Sequence, residues 1–134
     1  MRKSILSIIA VFYFSFFYSQ SKLADVLYSN FEYPLAAKAY SQSESLTQKQ
    51  KINFAFSYYF ENEFQKSIPI FREIVEKSPD DNFLKYHYGI ALKSTGRYKS
   101  SRIILNELYK SDSLNKYLKL QIESIDSLIE WDTA

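Results

Sequence analysis

Cysteine is absent from the 134 residues, and glycine (2), proline (3), histidine (1), methionine (1) and tryptophan (1) are scarce. Each shortage removes a class of chemistry. Without cysteine the chain has no disulfide, no thiolate metal ligand, no cysteine nucleophile and no cysteine to carry a lipid. Two glycines build no phosphate-cradling loop, and neither a Ser–His–Asp candidate set nor an HExxH motif occurs. The single histidine, His87, has no thiol and no placed carboxylate for company, so it reads as a surface or partly packed residue rather than a ligand. Sparse glycine and proline argue against a loop-rich or disordered chain. An excess of one charge is missing too. There are 17 basic and 15 acidic residues. Two of the bases, Arg2 and Lys3, stand at the N-terminus, where no acid precedes Asp25, so the remainder is neutral. A neutral, mixed-sign surface lacks the basic footprint that nucleic acid requires, and it does not attract anionic lipid by charge alone. These absences predict a protein that is not an enzyme and holds no cofactor and no metal.

A long apolar run is also lacking. The one hydrophobic stretch follows Arg2-Lys3, covers Ile5 to Phe17 and gives way to Ser19-Gln20-Ser21. At about 1.5 Å per residue it spans roughly 20 Å, short of the ~30 Å bilayer core. A basic start, a short apolar middle and small residues two apart form the pattern of a secretory signal peptide. The sequence therefore predicts a signal peptide over 1–21, cleaved after Ser21, and a mature domain over 22–134 that does not span the membrane. Two alternatives stay open: cleavage after Ser19, and an uncleaved helix that uses Tyr18 and some tilt to tether a structural subunit.

What the chain has in quantity is rings, 12 Tyr and 11 Phe. So many imply large interlocking side chains in the core, with tyrosine tips left for water or a partner. The stretch Asn53 to Asp81, NFAFSYYFENEFQKSIPIFREIVEKSPDD, reads as an aromatic helix, a polar turn at Glu61-Asn62-Glu63, a second apolar helix and a stop at Ser78-Pro79. The same grammar returns 34 residues later. Ala55 maps onto Gly89, Asn62 onto Gly96, Phe64 onto Tyr98, Ser67 onto Ser101 and Phe71 onto Leu105. In an earlier copy, Ala36 and Tyr40 hold the small and large positions, at a phase of 31 (Tyr33 to Phe64). The small residue lets two helices approach, and the large one fills the gap to the next pair.

Helices are expected at about Gln48 to Phe60 and Glu63 to Lys77, the second mildly bent at Pro69. Pro34 suits the first turn of another helix, Ser41 to Thr47 reads as a connection, and Asp80 or Asp81 caps the helix that follows. Leu118, Ile122, Ile125 and Ile129 mark a last amphipathic helix over Leu114 to Trp131, suited to close the end of an array. Trp131 would either pack on the last repeat or mark where a longer ancestor continued.

This 34-residue period of helix–turn–helix units resembles the tetratricopeptide repeat, with about three copies over residues 22–113 and a capping helix. The implied fold is an all-α helical repeat solenoid. The strings KAYSQSESL, FAFSYYFENEFQKSIPIF and YHYGIALKSTGRY are also similar to the N-terminal repeat segment of OmpA-family envelope proteins of Bacteroidetes, some of them associated with type IX secretion. Those proteins continue into a β-propeller and a peptidoglycan-binding domain that this sequence lacks, so only the interaction segment carries over. The resemblance implies export to the periplasm, with association to the outer membrane left open.

Repeat solenoids expose a concave face made from the first helix of each unit. By phase that face takes Tyr28, Lys49, Phe56, Tyr59, Phe60, Tyr86 and Lys93, with Asp25, Ile52 and Ile90 beside them. One reading is an aromatic groove that grips a protein or peptide partner, since Tyr and Phe anchors dominate interface energies. The other is that these rings pack between neighbouring units. Some repeat proteins clamp a carboxylate on this face with Lys, Asn and Arg. Here the comparable positions are Ile52, Asn53, Phe56, Tyr86, His87 and Ile90, and Asn53 alone fits. The basic set Lys93, Arg97, Lys99 and Arg102 reads as a solvated face or as a patch for an acidic partner. The expectation is thus a non-catalytic envelope adaptor of undetermined oligomeric state, with a membrane-tethered subunit or a truncated remnant of a longer envelope protein as the alternatives.

Overall fold

The structure, a computed structural model, describes residues 20–133. The predicted signal peptide falls almost wholly outside them; its last two residues, Gln20 and Ser21, are helical. The described residues form seven helices and no strand. Among the described residues, helix α1 covers 20–29. It is followed by α2 (Tyr33–Ser41), α3 (Gln48–Phe60), α4 (Phe64–Lys77), α5 (Asn82–Ser94), α6 (Tyr98–Ser111) and α7 (Lys116–Thr133). Successive starts Gln48, Asn82 and Lys116 keep the 34-residue step, as do Phe64 and Tyr98. The last helix begins at Lys116 rather than Leu114, and Pro69 lies within α4 without ending it.

Local chemistry explains where the helices begin and end. The starts of α3, α5 and α7 are capped in the same way. Thr47 Oγ1 accepts from the Gln50 amide at 3.3 Å, Asp81 Oδ1 from the Leu84 amide at 3.0 Å and Asn115 Oδ1 from the Leu118 amide at 3.2 Å. Each side chain satisfies an amide that the helix cannot. Gln50 completes a capping box by accepting from the Thr47 amide at 3.1 Å. Asp81, not Asp80, is the cap of α5.

Three of the turns between helices share a second device. Phe31 (φ 63), Asn62 (φ 58) and Gly96 (φ 75) are left-handed and each stands two residues before the next helix. Around Gly96 the Arg97 amide donates to the Leu92 carbonyl at 2.9 Å, and around Phe31 the Glu32 amide donates to the Leu27 carbonyl at 2.9 Å. This six-residue closure ends a helix and reverses the chain.

The helices gather into two compact units, the first ending at Asn62 and the second beginning at Glu63. The N-terminal unit holds α1–α3 around Ala24, Ala36, Ala39 and Tyr40, with Leu27, Tyr28, Leu46 and Phe54 packed on them. The C-terminal unit holds α4–α7, each helix packed on the next. Leu105, Leu108, Leu118 and Ile125 form its last core, joined by Ile122 and Ile129.

The predicted small and large positions are buried in every copy, and Ala24 supplies a second small residue to the first. Ala24, Ala36 and Tyr40 are 0%, 0% and 1% exposed. Gly89 is buried, and Ser101 and Leu105 are both fully enclosed. A Cβ placed on Gly89 would lie 2.8 Å from Leu105 Cδ2, so the absent side chain is what lets α5 and α6 cross there. Ser101 Oγ donates to the Gly89 carbonyl at 2.7 Å across that crossing.

Candidate functional site

In the N-terminal unit the predicted face divides into a packed part and an exposed part. Phe56 is 4% exposed. It stacks on Phe60 at 5.4 Å and meets Tyr59 edge-on at 5.8 Å, so it supports the surface and does not present itself to a partner. This corrects its expected place as an anchor: an α3 position whose ring is consumed by the interior has none left to offer. Tyr59 and Tyr28 are half-buried. Burial, and then the neighbouring Tyr33, raise the Tyr28 hydroxyl above the ordinary tyrosine range. Lys49 is exposed in the first turn of α3. Phe60 is 46% exposed and sits 4.9 Å from Tyr33, which in turn meets Phe31 at 6.2 Å. Phe31, Tyr33 and Phe60 therefore form a connected string of rings, open along Phe31, which is 76% exposed.

Asp25 is the counterpoint. The Tyr40 hydroxyl donates to Asp25 Oδ1 at 2.7 Å, and Gln50 Nε2 donates to Oδ2 at 2.9 Å. One carboxylate thus ties α1 to α2 and α3. Burial first, and the bond to Asp25 second, push the Tyr40 hydroxyl far above its usual range. Asp25 has a structural task.

In the C-terminal unit, the predicted residues face α7. Tyr86 and Ile90 pack on the core that Leu118 and Ile125 complete. Lys93 Nζ donates to Gln121 Oε1 at 2.7 Å, and burial lowers its pKa. The second reading made from the sequence, packing between neighbouring units, describes these residues well. His87 lies between Phe83 and Tyr86, with ring centroids at 4.6 and 5.3 Å. Burial lowers its pKa.

Tyr86 also reaches a cavity of about 430 Å³ at the α6–α7 corner. Phe83, Leu108, Tyr117 and Leu118 share its wall, and Asp112 stands at its rim. The sequence reading did not place Phe83, Tyr117 or Asp112 in a site. The signal was present, because one more 34-residue step from Phe83 lands on Tyr117. Phe31, an exposed apolar residue in a turn, also lies outside the predicted face. Trp131 is 83% exposed and does not pack on the last repeat.

Among the described residues no three His, Asp or Glu side chains come together to hold a metal, and no helix is long and apolar enough to cross a membrane. No family model matches the chain, and no curated protein does either.

Proposed function

We propose that the protein is a non-catalytic repeat adaptor of the bacterial cell envelope, exported by its N-terminal segment and binding a protein partner in the periplasm. The reading joins the tetratricopeptide-like cadence of the sequence to one observation, the exposed ring string Phe31–Tyr33–Phe60. Large rings held in place by their neighbours lose little freedom on binding, which is why such residues dominate interfaces. The resemblance to OmpA-family envelope segments supplies the compartment and the class of assembly.

The test is affinity capture of the tagged protein from crosslinked envelopes, with Phe60→Ser and Ile103→Ser variants in parallel. Ile103 is 69% exposed and carries none of the predicted face. One envelope protein enriched by wild type and Ile103→Ser, and lost with a folded Phe60→Ser variant, supports the adaptor. Equal capture by all three removes the ring string from the account. Mass determination of the protein from the envelope separates the adaptor from a tethered subunit, since cleavage after Ser21 removes the leader.

A further inference from the structure

We propose that the cavity at the α6–α7 corner receives an arginine side chain from a protein partner. Its about 430 Å³ is ample for one long side chain and its immediate neighbours. Phe83, Tyr86 and Tyr117 supply three aromatic rings around it. Phe83 meets His87 at 4.6 Å yet is 61% exposed, and Tyr117 is 77% exposed, so both keep ring surface accessible to a ligand. Among the described residues that line the cavity, Asp112 alone carries a charge, and neither lysine nor arginine is among them. Asp112 Oδ2 accepts from Asn115 Nδ2 at 3.1 Å, a neutral donor that leaves the negative charge uncompensated.

Ring faces and a carboxylate both carry negative potential, so the wall and the rim select the same thing, a cation. Of the two long basic side chains, arginine fits better. Its guanidinium is flat, stacks on rings, and can give a carboxylate two parallel hydrogen bonds, whereas the lysine ammonium is a compact and strongly hydrated charge. Leu108 and Leu118 offer the aliphatic stem an apolar floor. An acidic side chain would meet repulsion from Asp112, and a purely apolar one would leave that charge unused.

The cavity's biological occupant rests on the partner-binding reading; its chemistry does not. The experiment is an ¹⁵N NMR titration of the protein with N-acetyl-arginine methylamide and, separately, N-acetyl-norleucine methylamide. The arginine compound is expected to shift the Phe83, Asp112 and Tyr117 amides saturably, with a Kd at least about fivefold below that of norleucine. Asp112→Asn should bring the two ligands to parity. Tyr117→Leu, at an exposed position of α7, should weaken arginine severalfold and guards against a cap defect in the first variant. Norleucine binding equally well, or an arginine preference that survives Asp112→Asn, would overturn the proposal. Envelope capture through Phe60 can still succeed in that event, and its failure beside intact arginine binding would remove the adaptor and keep the cavity.

Discussion

In the N-terminal unit the buried small–small–large set is Ala24, Ala36 and Tyr40; in the C-terminal unit the corresponding residues are Gly89, Ser101 and Leu105. The positions are the same and the physics differs. Tyr40 is a large ring with a polar tip, and its hydroxyl brings with it an acceptor, Asp25, which also holds Gln50. Leu105 has no polar tip. There the α5 and α6 surfaces meet where Gly89 has no Cβ to strike Leu105, and the polar contact is a short bond from Ser101 to the Gly89 carbonyl. A repeat position thus specifies size and burial, and leaves each copy free to choose between a polar tie and a crossing with no Cβ in it.

The largest expected effect falls on that crossing. Leu105→Ala should cost about 2–5 kcal/mol in urea unfolding, because the residue is fully buried and the gap collapses only in part. Gly89→Ala tests the reason. Alanine favours a helix by about 1 kcal/mol over glycine, but its Cβ would sit 2.8 Å from Leu105 Cδ2 and 3.1 Å from Cγ. We expect no gain in the wild-type background and a gain of about 1 kcal/mol beside Leu105→Ala, a coupling that a double-mutant cycle reads directly. Additive effects would break the comparison on its C-terminal side.

The polar tie comes next. Asp25→Ala should cost about 1–3 kcal/mol by leaving the Tyr40 hydroxyl and Gln50 amide without their acceptor. Stability against pH then sharpens the contrast, because Tyr40 and His87 respond at opposite ends. The folded Tyr40 has a raised pKa. Its contribution is complete below the unfolded value of about 10 and is lost as pH rises beyond it. The folded His87 has a lowered pKa. Its contribution is present above the unfolded value of about 6.5 and is lost as pH falls through it. Denaturation followed by circular dichroism should show Tyr40→Phe flattening the alkaline limb alone and His87→Gln the acid limb alone. A variant that alters both limbs alike would contradict the assignment.

The smallest effect concerns the turns. Asn62 and Gly96 suit left-handed backbone, but Phe31 does not, and at φ 63 it is strained for a bulky residue. Phe31→Asn should raise the melting temperature slightly, by about 0.5–1 kcal/mol of stability. An unchanged or lowered value would mean that the Phe31–Tyr33 ring contact outweighs the strain.

That turn also shows where the sequence could and could not be read. Helix limits were legible because they rest on local chemistry: Gln48 and Phe60 as the ends of α3, Lys77 before Ser78-Pro79, and a carboxylate cap near Asp81. Buried positions were legible because the period repeats them. The left-handed Phe31 was not, since nothing local marks an aromatic residue for that conformation. Face assignments were less secure for a different reason. A phase names which side of a helix a residue occupies, but not whether its ring turns inwards. Phe56 and Phe60 lie one helical turn apart in α3, yet one is 4% and the other 46% exposed. Tyr86 and Lys93 meet α7 because that helix keeps the frame, with Leu118 and Ile125 one step beyond Leu84 and Ala91, although its polar face makes it read as a cap rather than as a further copy.

The most direct measurement of the adaptor account is photocrosslinking in living cells from a benzoylphenylalanine placed at position 60, with position 103 as the comparison. Both sites are exposed, and only position 60 belongs to the ring string. The account predicts one discrete envelope-protein adduct from position 60 and none from position 103. No adduct from position 60, or the same adducts from both, would contradict it.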